Sequence, residues 1–252
     1  MLPFLEENAE LFRGKRVLEI GTGSGIISVY AAVLGASKVV ATDIDPNAIE
    51  SLRRNAERFG KSDVVEGRLV PESDISAYSV IQPGEQFDII VSNPPYSLDL
   101  DATENSPVID TGDLGFSIVR GLDEHLAPGG TAMLFYASLF YHLTMVKYAE
   151  HEGWDVANHR PWMLFAWEVE PLFNTYLRRL LAREGVKADD MKFDNLEPHT
   201  IQHLRVDPMG REKRKPLLPG NSDKDYPGMM VLRRGAGGAD AAKPTPAAEP
   251  AS

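Results

Sequence analysis

Short apolar runs alternate with helical or turn-like segments along this chain. The runs that predict strands lie near 16–20, 38–42, 63–66, 87–92, 131–136 and 154–159, with a last one at 229–233. The residues between them have helical spacing or the composition of turns. Such alternation predicts an α/β fold whose mostly parallel sheet is covered by helices on both faces.

A glycine-rich turn joins the first predicted strand to the first predicted helix. The glycine-rich run 21–25 follows the strand at 16–20, and the apolar helix 26–34 then extends to Gly35. Glycines at such a turn let a ligand approach the backbone closely. A nicotinamide dinucleotide site would have a sixth-position glycine where this chain has Ile26, and a phosphate-binding P-loop would continue with Lys and then Ser or Thr. The sequence therefore counts against both of these ligands.

An acidic residue ends the second predicted strand. Asp43 lies roughly 20 residues beyond the glycines, where a carboxylate can accept hydrogen bonds from two ribose hydroxyls. The adjacent Asp45, Pro46 and Asn47 have the pattern of a helix start, so a helix N-cap region is the alternative interpretation. Both roles can hold, because Asp43 and Asp45 are different residues.

The most informative segment is Asn93-Pro94-Pro95-Tyr96, which follows the apolar strand at 87–92. The two prolines stiffen the loop and leave it with carbonyl acceptors in place of N–H donors. The side-chain oxygen of Asn93 and the carbonyl of Pro94 can both accept from one NH2 group, and Tyr96 offers a flat face for stacking. This arrangement suits positioning of a planar nitrogen, although a proline-rich turn after a buried strand is the structural alternative.

Three of these features follow strand ends, namely Gly21, Asp43 and Asn93. Ligands of parallel sheets bind beyond the carboxyl ends of the strands, where the strand order reverses. We therefore expect the three residues to converge on one crevice.

The motifs resemble those of the class I S-adenosylmethionine-dependent methyltransferases, in particular the N-methylating branch with an Asn-Pro-Pro-Tyr loop that contains the HemK-like protein-glutamine methyltransferases. The resemblance covers about residues 11–135. It implies a Rossmann-like, mostly parallel sheet of seven strands and S-adenosyl-L-methionine as cofactor. The residues it assigns to the cofactor are Glu19, Gly21, Thr22, Gly23, Gly25, Asp43, Ile44 and Asn93. The residues it assigns to catalysis are Asn93, Pro94, Pro95 and Tyr96.

One residue departs from the family pattern. Arg68 follows the third predicted strand, where the family usually has an acid near the adenine amine. Glu66 or a backbone group is the expected substitute for that acid.

Composition sets the remaining expectations. The net charge of -11 does not favour binding to bulk nucleic acid, although a local basic patch remains compatible with it. The chain has no cysteine, its start lacks the pattern of a signal peptide, and no apolar run has the length of a membrane span. We expect a cytoplasmic protein without metal that does not associate with membranes, and the sequence leaves the oligomeric state open.

The chain is expected to form one methyltransferase domain over residues 1–234, with a disordered tail over 235–252 that is rich in Ala, Gly and Pro. The segment 160–228 is a long insertion before the last strand. It contains Trp162 and Trp167, and we interpret it as a lid over the substrate crevice. The alternative is that its aromatic side chains pack onto the core.

The sequence thus predicts an N-methyltransferase that acts on a planar amide or amine nitrogen of a protein side chain or a small molecule. One alternative acceptor is a nucleobase amine of RNA or DNA, which would have to be unstacked to reach such a pocket. Another possibility is a methyltransferase-like binding module without turnover.

Overall fold

The computed structural model describes residues 5, 8–73, 76–94, 97–98, 109–110, 114–135, 145–146, 148–157, 182, 184–185 and 229–234. The helices are α1 Ile26–Val33, α2 Pro46–Arg58 and α3 Leu114–His125. The strands of the main sheet are β1 Arg16–Ile20, β2 Lys38–Asp43, β3 Val65–Leu69, β4 Phe87–Ser92, β7 Leu126–Phe135, β8 Trp154–Ala157 and β9 Met229–Arg234. Two short strands, β5 Ser97–Leu98 and β6 Ile109–Asp110, pair with each other.

The main sheet has seven strands in the order β3-β2-β1-β4-β7-β9-β8. The first five are parallel, and β9 runs antiparallel between β7 and β8. The chain moves outward from β1 to β3 on one side and then returns to place β4 on the other side of β1. The strand order therefore reverses between β1 and β4, and the predicted α/β fold with a mostly parallel sheet is confirmed.

Two hydrophobic cores cover the two faces of the sheet. Val17, Val39 and Ile89 lie in one core together with Ile27 and Ala31 of α1. The residues that follow them in the strands, including Leu18, Val40 and Ile90, lie in the other core with the buried side of α3. Successive strand residues point to opposite faces, so burial on both sides explains why these strands are almost uninterrupted apolar runs.

Two strands begin at a different residue from the one that the sequence predicts. β3 was expected near 63–66, but pairing with β2 moves it to 65–69 and includes Glu66 and Arg68. β3 is an edge strand, so polar residues are compatible with it and apolar content alone misplaces it. The strand expected at 131–136 begins earlier, because Leu126 already pairs with Phe87 before a register shift.

The local signals around α1 and α2 agree with the structure. Asp45 is the N-cap of α2 and accepts a 2.8 Å hydrogen bond from the backbone N–H of Asn47, and Pro46 begins the helix. Gly35 follows α1 with a φ of 99°, a conformation that glycine adopts easily. The helix-start interpretation therefore applies to Asp45 and leaves Asp43 free for another role.

Most of the predicted insertion at 160–228, and all of the tail at 235–252, lie outside the described residues. Within the insertion, the carboxylate of Glu184 forms an ion pair with Arg120 of α3. In the described part of the chain, no helix combines the length and the hydrophobicity that a membrane span requires.

Arg68 is held by an ion-pair cluster. Its guanidinium binds both carboxylate oxygens of Glu85 at 2.7 and 3.1 Å, donates to Glu66 at 2.7 Å and reaches the carbonyl of Val80 at 3.1 Å. The side chains of Arg68 and Glu85 are only 16% and 12% exposed. Hydrogen bonds from Arg68 lower the pKa of Glu66 to about 2 and also lower the pKa of Glu85. The residue that departs from the family pattern therefore joins β3 to the segment before β4.

We predict that Arg68→Gln destabilises the protein at pH 7 by about 1–3 kcal/mol, because Glu85 would keep its burial and lose its nearest charged partner, with only the more distant Arg16 at 3.7 Å left among the described residues. Carboxyl groups with lowered pKa values stabilise the fold above their ordinary value of 4.5, and this contribution disappears as the pH falls toward 2. Urea unfolding of both proteins between pH 7 and pH 2.5 should show the difference shrinking below pH 4.5.

A suitable control is Arg53→Gln, since Arg53 is 61% exposed and its ion pairs within the described residues are with carboxylates of its own helix. That variant should change little at any pH. A difference between wild type and Arg68→Gln that is independent of pH would contradict the ion-pair explanation.

Candidate active site

The register of the parallel strands brings three sequence features to one edge of the sheet. Ile20 at the end of β1 pairs with Thr42 of β2 on one side and with Ser92 of β4 on the other. The next residues along the chain are Gly21, Asp43 and Asn93. The expected convergence of these residues at the carboxyl edge, where the strand order reverses, is therefore present in the backbone.

The glycine loop is fixed to the neighbouring strand. The N–H groups of Gly21 and Thr22 both donate to the carbonyl of Thr42, at 2.9 and 3.0 Å. Gly21 and Gly23 have φ values of 73° and 53°, and a Cβ at either position would meet no atom of the described residues within 4 Å. The loop thus presents bare backbone to open space, and this cradle is compatible with a ligand lying directly against it.

A buried carboxylate lies beneath the loop. The Oε2 atom of Glu19 accepts hydrogen bonds from Thr22 Oγ1 at 2.7 Å, from the Ser28 backbone N–H at 3.0 Å and from the Ser28 hydroxyl. Burial raises the pKa of Glu19 to about 7, although these hydrogen bonds oppose the shift. Glu19 therefore ties the loop to the first turns of α1, and its contact with a cofactor stays a prediction.

Asp43 has hydrogen bonds to both of its carboxylate oxygens. Oδ2 accepts from the Gly23 N–H at 2.8 Å and Oδ1 from the Asp45 N–H at 2.9 Å. A carboxylate oxygen has two acceptor positions, so each oxygen can still accept a ligand hydroxyl. Ile44 and Leu69, which are 36% and 48% exposed, lie beside Asp43 at the ends of β2 and β3. The carboxylate is thus flanked by apolar surface.

Asn93 carries an unsatisfied acceptor. Its Oδ1 atom is buried and has no hydrogen-bond partner within the described part of the chain. The preceding Ser92 fixes the end of β4 by donating from Oγ to the carbonyl of Ile20 at 2.8 Å. Pro94 is buried, whereas Pro95 and Tyr96 lie outside the described residues. An unsatisfied buried oxygen is uncommon in proteins and calls for an explanation.

Several supporting residues were not found from the sequence. Ser28 is a buried polar residue inside an otherwise apolar helix, and this break in the pattern was the available signal. Ser92 is likewise the polar end of an apolar strand. Asn55 of α2 donates from its side-chain nitrogen to the carbonyl of Ser24 at 2.8 Å, and nothing in the helical pattern marks it as part of the site.

The described surface of this edge is acidic. The segments 21–26, 43–47, 69–73 and 93–94 contain Asp43, Asp45 and Glu72 but no Lys or Arg. Among the residues that the structure describes, no group of three or more His, Asp or Glu side chains could hold a metal ion.

The strand order, the glycine loop after the first strand and the acid after the second are those of the class I S-adenosylmethionine-dependent methyltransferases, and the chain has that fold. Comparison with known proteins agrees. The family described as ribosomal protein L11 methyltransferase (PrmA) matches residues 2–94. The chain therefore has the fold of these methyltransferases, and its first part is similar in sequence to one of their families.

Individual relatives match over part of their length. The chain is 39% identical over 128 residues to a release factor glutamine methyltransferase of Koribacter versatilis, covering 45% of this chain and 43% of the relative. It is 43% identical over 81 residues to a ribosomal protein L11 methyltransferase of Tolumonas auensis, covering 32% of this chain and 25% of the relative. The chain thus spans less than half the length of these curated relatives.

Among solved structures, a ribosomal protein L11 methylase from Lactobacillus delbrueckii subsp. bulgaricus superposes with a TM-score of 0.45 and 21% identity. It covers 61% of this chain and 70% of the other.

We predict that Glu19→Gln changes how stability depends on pH. The pKa of Glu19 rises from 4.5 to about 7 on folding, so the folded state holds a proton that the unfolded state releases between these values. Wild-type stability should therefore fall as the pH rises from 4.5 to 7 and then level off, by an amount of up to about 3 kcal/mol. Glutamine cannot ionise and should lack this fall.

The measurement is urea unfolding of wild type and Glu19→Gln from pH 4 to pH 8, in which groups common to both cancel in the difference. The stability of the variant relative to wild type should rise across this range. Glu57→Gln is the matched control, because Glu57 is 71% exposed. A relative stability that stays constant, or that falls with pH, would show that folding does not raise the pKa of Glu19.

Proposed function

We propose that this protein transfers the methyl group of S-adenosylmethionine to a planar amide or amine nitrogen. The observation that carries the proposal is the buried, unsatisfied Oδ1 of Asn93 at the carboxyl end of β4. A buried acceptor without a partner costs roughly 1–3 kcal/mol. An NH2 group of a substrate would remove that cost, so the site favours an acceptor that brings its own N–H donors.

The chemistry of the nitrogen explains why such an acceptor is useful. The lone pair of an amide or aryl amine is delocalised, which makes the nitrogen a poor nucleophile. Hydrogen bonds from its N–H groups to Asn93 Oδ1 and to the carbonyl of Pro94 return electron density to the nitrogen and aim it. This is catalysis by positioning and electrostatics, and it does not strictly require a general base. S-adenosylhomocysteine would leave as the nitrogen–methyl bond forms, and the methylated nitrogen would then lose one proton to solvent. Tyr96 would stack on the planar group, and Pro95 would stiffen the loop.

The residues at the carboxyl edge fit the cofactor. When bound, S-adenosylmethionine supplies an electrophilic methyl group on a sulfonium. Gly21 and Gly23 offer open space against which it can lie, and Asp43 can accept bonds from its ribose hydroxyls. Ile44 provides exposed apolar surface for the adenine ring, and Glu19, Thr22 and Gly25 hold the loop. The predicted contact between Asn93 and the cofactor is part of the same proposal.

We favour a protein side chain or a small molecule as acceptor. Two relatives carry the names of protein methyltransferases, one for a release factor glutamine and one for ribosomal protein L11. The acidic, Lys- and Arg-free character of the described edge and the net charge of -11 disfavour a polyanionic nucleic acid. We further propose that the segment 160–228 covers the acceptor as a lid and that the protein works in the cytoplasm.

One experiment separates the acceptor classes. Extract should be incubated with the protein and S-adenosylmethionine carrying a tritiated methyl group, and then divided into protein, RNA, DNA and small molecules. Label in protein or small molecules supports the proposal, whereas label confined to RNA or DNA would favour the nucleobase alternative. Cofactor binding without label in any fraction would favour a binding module.

We predict that Asp43→Ala weakens binding of S-adenosylmethionine by about tenfold or more, because charge-assisted bonds to ribose hydroxyls are lost. Isothermal titration of the purified protein measures the effect. Asp45→Ala is the matched control, since Asp45 is the helix N-cap and its loss should lower stability by about 0.5–2 kcal/mol with little effect on cofactor affinity. Unchanged affinity in Asp43→Ala would remove Asp43 from the cofactor site.

We also predict that Asn93→Ala lowers turnover by about 10²–10³, the scale for loss of one preorganised polar contact to a transition state. Cofactor affinity should change far less. Asn93→Asp keeps an acceptor of the same shape and should retain more activity than Asn93→Ala. Turnover is measured as methyl transfer into the labelled fraction.

Two outcomes would contradict this role of Asn93. Equal loss in both variants would indicate that Asn93 acts as a donor or through loop geometry. Full activity of Asn93→Ala would show that this loop does not position the nitrogen.

A further inference from the structure

One face of α2 touches the glycine loop at two neighbouring points. Leu52 and Asn55 are three residues apart and therefore lie on the same side of the helix. Leu52 packs so closely on the loop that a Cβ at Gly25 would lie 2.8 Å from the Leu52 Cα atom. Asn55, 31 residues beyond Ser24 in sequence, donates to the Ser24 carbonyl at 2.8 Å.

The Ser24 carbonyl lies in the part of the loop that most needs an external restraint. Its neighbours Gly23 and Gly25 have φ values of 53° and 79°, in the left-handed region. Glycine has the widest choice of backbone conformations, so a segment with alternating glycines has several accessible shapes and loses much entropy when one is selected. A hydrogen bond to the peptide between the two glycines restricts both at once.

With one exception, the other hydrogen bonds hold different parts of the loop. The exception is the Gly25 N–H, which belongs to the same peptide as the Ser24 carbonyl and donates to the Thr22 carbonyl at 2.9 Å. Gly21 and Thr22 are bound to Thr42 of β2, and Gly23 is bound to the carboxylate of Asp43. These bonds come from the sheet edge, whereas the bond from Asn55 comes from the helix behind it. Asn55 thus links α2 to the far side of the loop.

We propose that Asn55 is a positioning residue, which holds the glycine loop in its ligand-binding shape by donating a hydrogen bond to the Ser24 carbonyl. The consequence for cofactor binding rests on the proposed function. Asn55 itself does not touch the reacting atoms. Its loss should therefore weaken binding of S-adenosylmethionine by about three- to tenfold, the range expected for one neutral hydrogen bond, and leave kcat at saturating cofactor within about twofold.

Two substitutions separate donation from shape. Asn55→Ala removes the donor and the side-chain volume. Asn55→Asp keeps the shape but replaces the NH2 group by a second oxygen, which repels the Ser24 carbonyl. If donation is the role, Asn55→Asp should be at least as impaired as Asn55→Ala. If packing is the role, Asn55→Asp should resemble wild type.

The experiment uses the whole chain and two readouts. Hydrogen exchange without cofactor reports on the loop itself, and peptides covering residues 21–25 should exchange faster in both variants while peptides from β1 and β4 stay unchanged. Isothermal titration with S-adenosylmethionine and the KM for the cofactor report on binding. The matched control is Arg54→Ala, because Arg54 adjoins Asn55 but is 72% exposed and pairs with Glu50.

The outcomes distinguish this inference from the proposed function. Faster loop exchange together with a raised KM and unchanged kcat in both variants supports the role of Asn55. Loop exchange and affinity equal to those of wild type would overturn it while leaving cofactor binding intact. If wild type itself fails to bind S-adenosylmethionine, the proposed function fails, and loop exchange alone then decides whether Asn55 positions the loop.

Discussion

The central constraint in this structure is the pairing of β1 with β2 on one side and β4 on the other. Parallel pairing aligns the carboxyl ends of the three strands, with Ile20 opposite both Thr42 and Ser92. A shift of one residue would exchange each strand's side chains between the two faces of the sheet, where they pack against different partners, so the two hydrophobic cores favour this register. The positions of Gly21, Asp43 and Asn93 at one edge follow from that register.

The backbone at this edge is stiffened by side chains that lie below and behind it. One carboxylate oxygen of Glu19 accepts three hydrogen bonds. The carbonyl of Thr42 accepts from two N–H groups of the loop, and the hydroxyl of Ser92 donates to the carbonyl of Ile20. Because these groups satisfy one another inside the protein, the atoms facing the crevice remain free to bind a ligand. Examples are the backbone atoms of Gly21 and Gly23, which border open space, and the unsatisfied Oδ1 atom of Asn93.

Unlike the Oδ1 atom of Asn93, the guanidinium of Arg68 has several hydrogen-bond partners. Arg68 is predicted from the sequence to follow the third strand, but it lies within β3, and its guanidinium donates to Glu66, Glu85 and the carbonyl of Val80. Four hydrogen bonds to protein groups leave Arg68 little remaining capacity to donate to a ligand, so its role is to link parts of the fold. Among the described residues, Asn93 therefore has the stronger physical reason to be assigned to ligand binding.

The sequence by itself determined the fold class, because strands buried on both faces appear as apolar runs and the glycine turn has few structural alternatives. It also located the helix start at Asp45, since that signal depends only on neighbouring residues. Only the tertiary structure decided the bounds of β3, the early start of β7 and the partners of Arg68, which depend on strands and loops distant in sequence. The same holds for Asn55 and Ser28, whose partners lie 31 and 9 residues away. Polar contacts of this kind leave no periodic pattern, so they become visible only when the chain is folded.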